Sequence, residues 1–149
     1  IIADAYVNMG IAASYFAKQK EAIQFFEQAL SFLYEKKQSV ETAALYNYMG
    51  NAQMELGKLD AQMQWQTKSL VLYEKLNDKK GIAQTMDNVA GLYLELGKND
   101  VSINYAKQSI SIREKLGNYE ELATGYNNLS QIYLCSDSMV LETEFGKQG

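Results

Sequence analysis

Asn8, Asn88 and Asn128 occupy one position of a sequence that recurs every 40 residues, and Asn47, Asp87 and Asn127 occupy the position before it. Asn51 and Gln131 share a third position one helical turn further on. A carboxamide offers both an acceptor and donors, so a row of them can pair with the N–H and C=O groups of an extended peptide without demanding a particular sequence. Asn is a poor helix former, and its recurrence therefore needs another cause. Either the amides grip a ligand backbone, or they bond to neighbouring helices and ordered water. As a recurring set they favour binding. Tyr48 and Met54 would add apolar contact, and Asp87, Glu55 and Glu95 would favour a ligand with basic side chains.

The same residues do not point to catalysis. The chain contains no histidine, so the commonest general base and metal ligand is missing, and its one cysteine, Cys135, has no histidine to activate it. The carboxylate pairs Glu120 with Glu121 and Glu142 with Glu144 fall at a helix end or in a polar tail and read as solvated surface. No phosphate-binding loop and no metal-ligand spacing is present. The expectation is no catalytic residue, no metal and no cofactor.

Composition narrows the class further. The chain has 149 residues, 47% hydrophobic and 21% charged, in the range of a globular domain able to bury a core. A net charge of −4 argues against nucleic acid, and the basic stretch "NDKKG" at 77–81 reads as a turn between helices. No apolar run approaches the ~18 residues of a membrane span. A lone cysteine allows no disulfide framework within the chain and leaves the redox compartment open. The chain begins without Met and enters a repeat almost at once, which reads as a piece of a longer protein. A soluble segment is expected, in the cytoplasm or as the periplasmic sensor part of an anchored protein.

The elements that must hold the amides are visible in the recurrence. Gly10, Gly50, Ala90 and Ser130 share a position that is always small, and Met9, Met49, Val89 and Leu129 one that is always apolar. Ala83, Met86, Ala90 and Tyr93 follow the spacing of one helical stripe, which defines a first helix, A. Gly57 and Gly97 can take positive φ and end it. A second helix, B, follows, with Ile103, Ala106, Ile110 and Leu116 as its main stripe and Tyr105 and Ile112 beside it. The small positions predict close contact between helix A and its own helix B, with an aromatic from B filling the neighbouring space. One hairpin cannot bury both its faces, so successive hairpins must stack.

These columns resemble the tetratricopeptide repeat. Tyr46, Met49, Gly50 and Gly57 occupy the matching places in the second unit, and Met86, Val89, Ala90, Tyr93, Gly97 and Ala106 those in the third. The first unit supplies Tyr6, Met9, Gly10, Ala22, Phe26 and Ala29, and the resemblance covers about residues 3–135. The period of 40 exceeds the usual 34, and the proline that often ends the repeat is missing, so helix B should be longer than usual. This longer variety is similar to repeats of bacterial sensor kinases, transcription regulators and peptide-signal receptors.

The resemblance implies an all-α, right-handed α-α superhelix of three full helical hairpins and a partial fourth. The expected units lie near 1–40, 41–80, 81–120 and 121–149 of a single domain. After Tyr133 the match degrades, and 136–149 reads as a truncated helix B or a frayed tail. A helix there would cap the last unit through Met139, Leu141 and Phe145. In this family the A helices line a concave groove, which would collect Asn8, Asn47, Tyr48, Asn51, Met54, Glu55, Asp87, Asn88, Glu95, Asn127, Asn128 and Gln131. Grooves that clamp a peptide carboxylate use Lys and Arg where this chain has Val7, Asn47, Asp87 and Asn127, so a free C-terminal carboxylate is a poor ligand. The expected function is a non-catalytic protein- or peptide-binding module, the sensory or scaffolding segment of a bacterial signalling protein. The alternative is a structural scaffold that self-assembles through its end units, as a homo-oligomer.

Overall fold

The computed structural model describes residues 1–33 and 38–146, with side chains as far as residue 137. Seven helices follow one another, and no strand occurs among the described residues: α1 (Ile2–Tyr15), α2 (Gln19–Phe32), α3 (Val40–Glu55), α4 (Leu59–Lys75), α5 (Lys79–Glu95), α6 (Asn99–Leu116) and α7 (Tyr119–Gly146). The expected all-α repeat of hairpins is therefore present, with α1, α3, α5 and α7 as A helices and α2, α4 and α6 as B helices. At 17 and 18 residues, α4 and α6 are the long B helices that the 40-residue period called for. By compactness the chain divides into a unit Ile1–Thr85 and a second unit from Met86 onward, the division falling inside α5.

Every A helix that turns into a B helix does so in the same way. Gly57 and Gly97 adopt φ of 69° and 70°, as expected, and Ala17 holds the equivalent place at φ 58°. The next residue, a lysine each time, donates its N–H back to the carbonyl five residues earlier, Lys18 to Ala13, Lys58 to Gln53 and Lys98 to Tyr93, at 2.8–2.9 Å. This double-bonded left-handed stop satisfies carbonyls that the helix end leaves open. The turns from B to the next A carry side-chain caps instead. Thr42 N–H donates to Ser39 Oγ, Gly81 N–H to Asp78 Oδ1, and Glu120 and Glu121 N–H to Asn118 Oδ1.

In the first unit, α1 packs on α2, α3 on α4, and α2 on α3. A Cβ added at Gly10 would stand 2.4 Å from the Phe26 ring, and one at Gly50 would stand 2.5 Å from Gln66 Nε2. The small column thus marks the contact between helix A and its own helix B, as expected. The aromatic filler is present only at Phe26, which is buried and stacks on Tyr48 at 5.5 Å. In the next repeat a glutamine takes that place because Asn51 gives it a partner: Gln66 Nε2 donates to Asn51 Oδ1 at 2.9 Å. The neighbouring aromatic column meets helix A tyrosines instead, Phe25 with Tyr6 and Trp65 with Tyr46, the rings tilted by 34° and 35°. Ser69, fully buried on α4, donates to the Ala43 carbonyl at 2.9 Å and lies 3.3 Å from the Thr85 hydroxyl.

The second unit has a small apolar cluster of Ala90, Ala106 and Ile132, flanked by Ile103, Tyr105, Leu94 and Leu129. Ser102 donates to the Ala90 carbonyl at 2.7 Å, and Tyr93 stacks on Tyr105 at 5.6 Å. Leu116 is a correction to the expected helix B stripe: it closes α6 just before left-handed Gly117 and is 45% exposed. The interior position belongs to Arg113, 5% exposed. A second correction concerns the end of the chain. Asp137 stands where Gly57 and Gly97 stop their helices, and without that glycine α7 continues unbroken to Gly146. Capping through Met139, Leu141 and Phe145 lies outside the described side chains.

Candidate functional site

The expected amides and their neighbours divide into those held inward and those left outward. In the first unit Asn8 and Glu55 are exposed, on α1 and α3. Asn51 and Met54 are half-buried, as is Tyr48, which packs against the core through Phe26. Asn47 is only 4% exposed, beneath the surface it was expected to line. The Asn51 acceptor is engaged by Gln66, so this amide also serves the packing between α3 and α4.

An open hollow of about 450 Å³ lies between α1 and α3 beside the α1–α2 turn. Ile11, Tyr15, Gln19, Asn51 and Glu55 are among its lining residues. Ile11 and Tyr15 present exposed apolar surface, and Glu55 is the only charged residue lining the hollow among the described residues. Gln19 donates through Nε2 to the Ser14 carbonyl at 3.3 Å, and its Oε1 is buried without a hydrogen-bond partner. The hollow therefore combines apolar walls with acceptor oxygens, a combination suited to a long side chain ending in a donor.

In the second unit Glu95, Asn127 and Gln131 are exposed, while Asp87, Asn88 and Asn128 are half-buried. Asp87 does not offer a free negative charge. Its Oδ2 lies 2.8 Å from Arg113 Nη1 and accepts from Asn128 Nδ2 at 3.0 Å. Arg113 also donates to Ser109 Oγ. Of the three acidic residues expected to attract a basic ligand, Glu55 and Glu95 face solvent and Asp87 is neutralised within its own unit. A hollow of about 550 Å³ at the α5–α6 turn, lined by Lys98, Asn99, Asp100 and Ser136 among others, was not foreseen.

Ile11, Tyr15 and Gln19 are among the lining residues that the amide pattern missed. Two of them were signalled by the period: Ile11 shares its position with Asn51 and Gln131, and Tyr15 shares its own with Glu55 and Glu95. Among the described residues no cluster of acidic, cysteine or histidine side chains could hold a metal ion. No helix among them is long and apolar enough to cross a membrane.

Comparison with known proteins places this geometry. Residues 41–115 match the Tetratricopeptide repeat family, and residues 3–32 match it separately. No curated protein matches the sequence. The crystal structure of BtubC (BKLC) from P. vanneervenii is similar at 18% identity with a TM-score of 0.78, over 91% of this chain and 56% of that one. A kinesin light chain-like protein of nearly identical TPR-like repeats from Podosopora anserina is similar at 13% identity with a TM-score of 0.74, over 97% of this chain and 72% of that one. This chain thus spans little more than half the length of BtubC, and at these identities the likeness is one of fold.

Proposed function

The chain belongs to the tetratricopeptide repeat family, and we propose from that premise that it is a non-catalytic module that binds an extended peptide or protein segment carrying basic side chains. Repeats of this family generally serve as protein-interaction scaffolds. The observation that carries the finer reading is the hollow between α1 and α3, where Ile11 and Tyr15 can cover an aliphatic stem and Glu55 can meet its terminal charge. Asn8 on α1 and, in the second unit, Glu95, Asn127 and Gln131 are exposed polar groups available to the same kind of ligand. Asn88 and Asn128 would contribute from half-buried positions, and Asn47 and Asp87 by holding the wall in place.

A peptide array of varied basic and apolar content, probed with the chain, tests this reading. Peptides with Lys or Arg beside an apolar residue should be captured, and Glu55→Lys should weaken them about tenfold, the equivalent of ~1.4 kcal/mol. Capture that is indifferent to both Glu55→Lys and Ile11→Glu, or no capture at all, rejects it. Self-assembly through end units is the alternative; sedimentation showing a concentration-dependent oligomer without peptide capture would select it.

The setting we propose is a sensory or scaffolding segment of a larger bacterial signalling protein. The resemblance of the 40-residue units to repeats of sensor kinases and transcription regulators supports it. A kinase or DNA-binding domain in the same polypeptide is the expected finding, and a full-length protein with neither would remove the proposal.

A further inference from the structure

Tyr15 and Glu55 hold the same place in successive repeats, at the end of α1 and of α3, and both line the hollow of about 450 Å³ between those helices. Tyr15 is 87% exposed, and its ring meets that of Phe16 edge to face at 5.8 Å and 89°, so most of its aromatic surface stays open. Glu55 is exposed as well, and among the described residues no lysine or arginine forms an ion pair with it. Later in the chain the same place holds Glu95 and Cys135, so the combination of an aromatic ring with a carboxylate belongs to the first unit.

We infer that this hollow takes an arginine side chain in preference to lysine, with Tyr15 as the residue that sets the preference. The assignment rests on the peptide-binding function proposed above and names the side chain that is bound. Charge alone does not separate the two cations, since either would meet Glu55. Shape does. A guanidinium is flat, weakly hydrated and forked, so it can lie on an aromatic face while giving two parallel N–H bonds to one carboxylate. An ammonium is a compact, strongly hydrated point that gains less from the ring. The aliphatic carbons of the arginine would run along Ile11, which is 40% exposed on the same wall. A guanidinium carries five donors, more than one carboxylate can accept, and Ser14, Gln19 and Asn51 bring further oxygens to the lining.

The probes are acetyl-Leu-Arg-amide, acetyl-Leu-Lys-amide and the citrulline analogue, which keeps the arginine shape without its charge. Each is titrated into the isotope-labelled chain, and dissociation constants are read by NMR from the backbone amide shifts around Tyr15 and Glu55. The arginine probe should bind about fivefold more tightly than the lysine probe, the scale of one cation stacked on a ring, and the citrulline probe should not saturate. Tyr15→Leu, at an exposed site where helicity by circular dichroism should be retained, should bring the two constants within about twofold of each other, chiefly by weakening arginine. Tyr15→Phe keeps the ring face and should keep the preference. Equal binding of the arginine and lysine probes, a preference that survives Tyr15→Leu, citrulline binding as tight as arginine, or no shift with any probe overturns the inference. Its failure is distinct from that of the wider function. An array that captures Lys and Arg peptides equally, both weakened by Glu55→Lys, removes the arginine assignment alone, whereas an array that captures nothing removes both.

Discussion

The carboxylate of Asp87 on α5 meets the guanidinium of Arg113 on α6 at 2.8 Å, with the two side chains only 11% and 6% exposed. Asn128 of α7 donates to the same Asp87 oxygen at 3.0 Å, so one ion pair ties three helices of the second unit together. In the first repeat the same two columns hold Val7 and Leu33, both packed on an apolar cluster. One structural position is thus solved with hydrocarbon in one repeat and with charge in another. The charged solution is incomplete, since Asp87 Oδ1 and Arg113 Nε are buried without hydrogen-bond partners.

Removing one member of this pair should cost far more than removing both. Arg113→Leu leaves a buried carboxylate with only Asn128 to satisfy it, and a loss of about 3–5 kcal/mol is expected. Asp87→Val together with Arg113→Leu recreates the pair of the first repeat and should lie within about 1 kcal/mol of wild type, or above it. Urea unfolding of the two variants checks this. Equal losses would show that the ion pair is not the compensated unit described.

Ala17 should be the cheapest place to gain stability. It sits at φ 58°, where Gly57 and Gly97 serve the other two turns, and its methyl group costs about 1–2 kcal/mol in that conformation. Gly has more freedom to lose on folding, which returns up to about 1 kcal/mol. The net expectation for Ala17→Gly is a gain of up to about 1 kcal/mol, and for Gly57→Ala a loss of the same order. Thermal melts of both variants give the answer, and a loss in Ala17→Gly would contradict the steric argument.

The period made most of this fold legible. Small residues at 10 and 50 mark the contact between helices A and B in the sequence itself, because only a missing side chain lets helices approach so closely. What the period could not convey is which chemistry fills a shared position. Gln66 stands where Phe26 stands, and Arg113 where Leu33 stands; each substitution is stabilised by a partner, Asn51 or Asp87, that pattern alone treats as an independent residue. The candidate site suffered for the same reason. Asn51 and, in the second unit, Asp87 and Asn128 are engaged by neighbouring side chains, and the apolar side of the hollow, Ile11 and Tyr15, carries no amide to mark it.

Gly10 should be intolerant of even one methyl group. An added Cβ would lie within 2.4–2.9 Å of three atoms of the Phe26 ring, which is fully enclosed and stacked on Tyr48. A rigid ring cannot yield as a chain end can, so Gly10→Ala should destabilise by about 1–3 kcal/mol despite the better helix propensity of alanine. At Gly50 the neighbour is a glutamine, and Gly50→Leu should displace Gln66 from Asn51 and again cost more than Lys58→Ala, whose exposed site should change stability by no more than about 0.5 kcal/mol. Equal melting temperatures for Gly50→Leu and Lys58→Ala would reject the placement.

Tyr73 should make the first unit sensitive to alkali. Its hydroxyl is pushed up from 10 to about 12, first by burial and then by the negative charge of Asp78 and the neighbouring Tyr48. The folded chain therefore keeps this proton up to about pH 12, whereas the unfolded chain releases it near 10. Stability tied to the neutral phenol is fully present below pH 10 and drains away as pH rises from 10 toward 12, by on the order of 2 kcal/mol. Tyr73→Phe keeps the ring that packs on Gly81 and removes the titration. Unfolding in urea between pH 8 and 11.5 should then show the wild type losing stability more steeply than Tyr73→Phe, the other tyrosines being common to both. Parallel curves would mean that Tyr73 ionises in the folded chain as freely as in the unfolded one.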